Sequence, residues 1–227
     1  MNNTYVISLG GSLIVPPAGI NENFLKKFRD LILKRVEAGD KFYIICGGGT
    51  TCRNYQNAAR KITNLNNNEL DWLGIHACRL NANFLRILFQ KEVCSEIILN
   101  FENKISAKEN IIIAGGSKPG HSSDHAAVEI AEKVGAQTVI NLSNIDYVYD
   151  CDPQKNKNAK KIEQINWIDF RKIVGDQWVP GSGAPFDPIA SQKAQALKLK
   201  VVIMNGTNLD SLNKYFIGDK FAGTVIG

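Results

Sequence analysis

The sequence lacks the closely paired cysteines that a disulfide framework or a zinc ribbon requires; its five cysteines, an odd number, are scattered. Cys46, Cys52, Cys78, Cys94 and Cys151 therefore read as free thiols of a reducing compartment, most of them packing residues. No apolar stretch approaches the roughly 20 residues of a membrane span, and the opening Met1-Asn2-Asn3-Thr4 carries no basic segment. The expectation is a soluble, unexported, cytoplasmic protein with no membrane partner. Neither Gly-x-x-x-x-Gly-Lys-Ser/Thr nor Gly-x-Gly-x-x-Gly occurs, so a P-loop and a dinucleotide fold are both unsupported. A dense basic patch is missing too: the net charge of +5 suits an anionic ligand, but the lysines are dispersed. The one cluster, Lys155 to Lys161, is broken by asparagines and reads as a solvated loop, so nucleic acid is not the expected partner.

What is present is a chain of 227 residues, 44% hydrophobic, long enough to bury its own core as one domain spanning residues 1–227. Short β-branched runs at Thr4 to Leu9, Lys41 to Cys46, Ile111 to Ala114, Thr138 to Leu142, Val201 to Met204 and Thr224 to Ile226 read as strands. Between them lie helical patterns: Asn21 to Gly39, Thr50 to Ile62, Leu70 to Phe89, Ser123 to Val134, Trp167 to Val174, Pro188 to Lys198 and Leu209 to Ile217. The link Asn64 to Asn68 and the stretches Asp150 to Lys161 and Trp178 to Asp187 read as polar or turn-rich connections. Leu73, Ala77, Leu80, Phe84 and Leu88 define an apolar stripe on the long helix, suited to core packing or to a dimer surface. Strands alternating with helices, most strands continuously apolar, define an α/β fold with a mainly parallel sheet covered on both faces.

Three times a buried strand ends in glycines and a helix follows: Gly10-Gly11-Ser12, Gly47-Gly48-Gly49 and Gly115-Gly116. At the carboxyl ends of strands in an open α/β sheet, such loops let backbone N–H groups approach a ligand, and helix N-termini add partial positive charge. One glycine turn is an ordinary connection, but three point to phosphate cradles.

These loops, together with Arg53, Pro119-Gly120-His121-Ser122-Ser123-Asp124, Ser143-Asn144-Ile145-Asp146, Tyr149 and Asp152-Pro153, resemble the amino acid kinase superfamily, in particular its archaeal-type uridylate kinase branch. The likeness runs from about Ser8 to Gly227. It implies a three-layer αβα sandwich that moves a phosphoryl group from ATP to UMP with Mg²⁺, in a homohexamer. By resemblance, Gly10, Gly11 and Ser12 embrace the ATP phosphates, while Gly48, Gly49 and Arg53 meet the phosphates from the acceptor side, Gly49 and Arg53 reaching those of ATP as well. Asp71, opening the long helix, holds the acceptor ribose; Ser117, Lys118, Pro119, Gly120, His121, Ser122 and Ser123 wrap the uracil. Ser143, Asn144, Tyr149 and Asp152 surround the ATP base and ribose, and Asp124 organises the reaction centre. No side chain is assigned as a metal ligand.

Two departures stand out. Ser8 occupies the position where many superfamily members carry a lysine, which leaves Lys193 or Lys118 to supply a cation, Lys193 being the catalytic candidate. Tyr147 replaces the glycine of the family's Asp-Gly-Val-Tyr segment, so the backbone there must avoid a glycine-only conformation or the loop differs. A hydrolase reading of His121 to His125 fails because triad groups converge in space rather than adjoin in sequence. His121, His125 and Glu129 recur at helical spacing, but capping and solvent exposure are the expectation for them. Asp150 and Asp152 read as turn formers, and Trp72, Trp167 and Trp178 as packing or interface residues. The competing functions are a kinase of the same fold with a carboxylate or carbamate acceptor, and a catalytically silent nucleotide-binding or storage protein.

Overall fold

The computed structural model of the protein describes residues 3–101, 105, 107–153, 155–177 and 184–227. Trp178 and most of the expected turn around it lie outside the described residues. In chain order the elements are β1 (Thr4–Leu9), α1 (Gly11–Ile14), α2 (Glu22–Glu37), β2 (Lys41–Cys46), α3 (Gly49–Ile62), α4 (Asn67–Phe89), β3 (Ile111–Ala114), α5 (Ser123–Val134) and β4 (Thr138–Ser143). They continue with β5 (Val148–Tyr149), β6 (Lys161–Ile162), β7 (Gln164–Ile165), α6 (Trp167–Val174), α7 (Pro188–Ala196), β8 (Lys200–Asn205), α8 (Leu209–Ile217) and β9 (Thr224–Ile226).

The central sheet has the order β3-β2-β1-β4-β8-β9-β7. All its pairings are parallel except β8 with β9. Successive strand residues point to opposite faces, and here both faces are buried. Tyr5, Ile7 and Leu9 join one core with Phe24, Phe28 and Ile32 of α2, Leu85 and Phe89 of α4, and Leu212 and Phe216 of α8. Val6, Tyr43, Ile45, Val139 and Val201 join the other, under Ala127 and Ile130 of α5, Phe170 of α6 and Ala190 and Ala194 of α7. The result is the expected three-layer αβα sandwich. Among the described residues no helix is long and apolar enough to cross a membrane.

Local chemistry sets the helix starts. Asn21 caps α2 by accepting from the Phe24 N–H, and Asn166 and Asn208 do the same for α6 and α8. Asn66 and Glu69 form a reciprocal capping box, so α4 begins at Asn67 and the polar link is shorter than its composition suggests. Asp71 accordingly lies within the second turn rather than opening the helix. The stripe on α4 is also rotated from the expected one: Leu70, Ile75, Ala77, Ala82, Leu85 and Phe89 are buried, whereas Leu80 is 61% exposed. The helix is apolar on more than one side, and periodicity alone does not say which side meets the sheet.

Candidate active site

Strands β1 and β2 run in register, Leu9 beside Cys46, so their glycine loops leave the sheet together. The Gly47 N–H donates to Leu9 O at 2.9 Å and the Thr50 N–H to Val15 O at 3.0 Å. A Cβ on Gly11 would collide with the backbones of Gly47 and Gly49, and Gly49 itself sits at φ +63°. Glycine is required here by backbone-to-backbone contact, and the two loops form one continuous floor. The N-terminus of α3 opens onto it, beginning at Gly49. From the first turns of α3, the Arg53 guanidinium donates to Thr50 Oγ1 (2.9 Å) and Ser12 Oγ (3.2 Å), spanning both loops. Beneath the floor, the buried Asn81 amide of α4 donates to Gly47 O (2.8 Å) and Gly48 O (3.2 Å).

Gly115 and Gly116 have a different reason to be glycine. Added Cβ atoms there would press on Arg79 and Ile75 of α4, so these residues permit close approach of a helix. Arg79 then donates to Gly116 O (2.9 Å) and Ser117 O (3.1 Å), and Asp71 accepts from the Gly120 N–H at 2.8 Å. The loop is thereby strapped to α4 at both ends.

Between floor and loop lies a cleft of about 420 Å³, lined by Gly48, Gly49, Arg53, Arg60, Asp71, Ser117, His121, Ser122 and Ser123 among others. That volume is in the range of small-molecule sites. Of the acceptor-side residues named from the sequence, Gly48, Asp71, Ser117, His121, Ser122 and Ser123 line it, whereas Lys118, Pro119 and Gly120 do not, and Lys118 faces a neighbouring hollow with Phe101 and Glu129. Arg60, Arg79 and Asn81 were not foreseen. Only Asn81, a polar residue on an apolar helix face, carried any signal in the sequence.

Asp124 stands at the start of α5, under the floor of β1 and β4. Ser8 and Asn141 are register partners on those strands and both point to the α5 side. The Ser8 hydroxyl (2.8 Å) and the Asn141 amide (2.7 Å) both donate to Asp124 Oδ1, and the Asp187 N–H donates to Oδ2 (3.2 Å). Serine in place of the family lysine is therefore a ligand of the aspartate. Withdrawal from water raises the Asp124 carboxyl to about 6; the Asp187 carboxylate adds to the rise, and the Ser8, Asp187 and Asn141 donors oppose it. Among the described residues no lysine or arginine pairs with Asp124 or Asp187, and the buried Asn141 Oδ1 has no partner.

A carboxyl whose folded-state pKa lies above its usual value favours the protonated form, so its ionisation costs stability as pH rises. From the 3.8 of a free aspartate to about 6, the cost amounts to at most about 3 kcal/mol. Asp124→Asn is therefore expected to gain stability relative to the parent between about pH 4 and pH 7. Denaturant titrations of both proteins across that range check this; parallel pH profiles would contradict it.

The expected ATP side lies beyond β4. Gly10 N–H donates to Leu142 O at 2.8 Å, which brings the first glycine loop against the end of β4, where the Ser143 hydroxyl is buried without a partner. Asn144 is exposed and Tyr149 half-buried in the β5–β6 hairpin. Tyr147 is not at positive φ, so the loop tolerates a side chain there, and the Lys161 ammonium sits 4.7 Å from the centre of its ring. Asp152 forms a turn, its carbonyl accepting from Lys155 and Asn156. Lys193 is engaged elsewhere: its ammonium lies 2.9 Å from Glu132 and 3.9 Å from Glu129 on α5. Cys46 and Cys78 are packing thiols, the latter pushed up to about 12 by burial.

An open, mainly parallel αβα sandwich with a cleft over fused glycine loops at the strand ends defines an α/β ligand-binding enzyme scaffold. A model of the amino acid kinase family matches residues 3–205, and the chain belongs to that family. It is 31% identical to the uridylate kinase of Methanococcus aeolicus over 97% of this chain and 98% of that protein. It is 33% identical to the uridylate kinase of Staphylothermus marinus over 100% of this chain and 99% of that one. The crystal structure of uridylate kinase from Archaeoglobus fulgidus superposes with a TM-score of 0.82 at 28% identity, covering 99% of this chain and all of that one.

Proposed function

We propose that this chain is a cytoplasmic UMP kinase. The observation that carries this reading is the cleft: a floor of fused glycine loops with Arg53, Arg60 and Asp71 among the residues that line it. Relatives matched over their whole length bear the name uridylate kinase. In the reaction a phosphate oxygen of UMP attacks the γ-phosphorus of ATP. That P–O bond forms as the bond to the β,γ-bridging oxygen breaks, and ADP and UDP leave.

Phosphoryl transfer asks a protein mainly to hold two anions in line and to neutralise the moving charge. Gly10, Gly11 and Ser12 hold the donor phosphates, and Ser143, Asn144, Tyr149 and Asp152 hold the donor base and ribose. Arg53 and Arg60 grip the acceptor phosphate, Asp71 the ribose, and the loop of Ser117 to Ser123 the base. Asp124 needs no role as a base, because the acceptor oxygen is already ionised near neutral pH. Asp124, with the Asp187 carboxylate and the unpartnered Asn141 carbonyl beside it and, among the described residues, no lysine or arginine paired with either aspartate, offers oxygen donors that fit a hard divalent ion; Asp187 Oδ1 also caps α7 by accepting from the Ile189 and Ala190 N–H groups. Mg²⁺ bound there would offset charge on the transferring phosphoryl. Lys193, the cation candidate named from the sequence, pairs with Glu132 and is given no contact with the transferring phosphoryl.

The test is ADP release with UMP, CMP, dUMP, acetylglutamate and carbamate as acceptors. UMP should give the highest kcat/KM. Preference for a carboxylate or carbamate would make this a kinase of another acceptor, and tight ATP binding without turnover would make it a binding protein. Exposed Trp72, Leu80 and Ile87 on α4 support self-association, with a hexamer expected by sedimentation.

A further inference from the structure

His121, His125 and Glu129 depart from the capping and exposed roles expected of them. Ser122 is the N-cap of α5, accepting from the His125 N–H. His125 and Glu129 share one helix face, four residues apart, and His121 comes back onto that face from the loop just before the cap. The two imidazole rings meet edge to face at 4.2 Å between centres. His121 Nδ1 lies 3.6 Å and His125 Nδ1 3.7 Å from the same oxygen, Glu129 Oε2. These separations are too long for hydrogen bonds. Both Nδ1 atoms are nonetheless buried and have no hydrogen-bond partner.

Two buried nitrogens and a carboxylate oxygen converge within 4.8 Å of one another, with nothing satisfying the nitrogens. Unpaired buried polar atoms are costly, and one cation at their centre would satisfy all three. Donors around a tetrahedral zinc stand about 3.3 Å apart, given bond lengths near 2.0–2.2 Å. The two nitrogen–oxygen separations, 3.6 and 3.7 Å, need to contract by only a few tenths of an ångström, and the nitrogen–nitrogen separation, within 4.8 Å, by at most about 1.5 Å.

We propose that His121, His125 and Glu129 form a binding site for a zinc-class divalent cation, with one coordination position left for water or another ligand. Imidazole nitrogen selects zinc, cobalt or nickel over magnesium, so this site is chemically distinct from the acidic pair of Asp124 and Asp187. The other carboxylate oxygen, Glu129 Oε1, turns toward Lys193 at 3.9 Å, but that ammonium is held more closely by Glu132 at 2.9 Å. The Glu129 oxygen facing the histidines therefore stays free to ligate. His121 lines the cleft, so a bound ion would tie the cleft loop to the helix that carries Asp124.

The experiment uses the full chain, stripped with a chelator and titrated with Zn²⁺ against a chromophoric competitor. One equivalent should bind, and His125→Ala and Glu129→Gln should each weaken it about 10- to 100-fold or more. X-ray absorption at the zinc edge of the loaded parent protein should show a nitrogen and oxygen shell with imidazole scattering. No stoichiometric uptake, a sulfur shell from the free cysteines, or unchanged affinity in both variants would overturn the site. None of these readouts depends on the acceptor being UMP.

Discussion

Asp124→Asn is expected to lower turnover by about 100- to 1,000-fold or more while leaving the KM for UMP nearly unchanged. The Asp124 carboxyl receives hydrogen bonds from Ser8, Asn141 and the Asp187 backbone, an arrangement that fixes it against β1 and β4 close to their carboxyl ends. An asparagine keeps the shape but removes the charge, and its NH₂ would face another donor. The cleft proposed for the acceptor is lined by Ser122, Ser123 and Ala126 and not by Asp124 itself, so UMP binding should persist. Steady-state kinetics with both substrates varied separates the two effects. A kcat equal to that of the parent would remove Asp124 from the reaction centre. This variant should be less active, and its stability relative to the parent should rise from about pH 4 to about pH 7, which is what a charge kept for function rather than for folding predicts.

The second large effect concerns Arg53. Its guanidinium already bridges Thr50 and Ser12, and a planar fork suits a phosphate oxygen pair. Losing hydrogen bonds to a charged group costs about 1.5–3 kcal/mol, so Arg53→Ala should raise the KM for UMP roughly 10- to 100-fold. Arg53→Lys should recover only part of this, because an ammonium grips phosphate as a point charge. An unaltered KM in the alanine variant would put the acceptor phosphate elsewhere, with Arg60 the alternative grip on the same wall.

Why some of this was readable in the chain and some was not follows from the range of the interactions involved. Asn21, Ser122 and Asn166 cap helices within three residues of themselves, and glycines at strand ends announce their own turns. Those are local signals. By contrast, the triad of Ser8, Asn141 and Asp124 spans more than a hundred residues of sequence. It exists because β1 and β4 are neighbours in register, which a linear pattern does not state. A polar residue inside each of two apolar strands was the only trace of it. The same holds for Arg79 and Asn81, which reach the loops from α4, and for the two histidines, whose spacing suggested a helix face but not the burial of both Nδ1 atoms. Tyr147 illustrates the reverse case. The sequence posed a definite alternative, and the backbone resolves it by keeping that residue out of positive φ.

The sequence alone determined the alternation of strands and helices and the glycine loops at the strand ends, because these depend on period, propensity and backbone sterics over a few residues. The tertiary structure decided which face of α4 meets the sheet, that Gly115 and Gly116 serve helix packing, that Ser8 binds Asp124 and that Lys193 pairs with Glu132. Those outcomes depend on strand order and register, which bring distant residues within bonding distance and leave no mark on the spacing of neighbours.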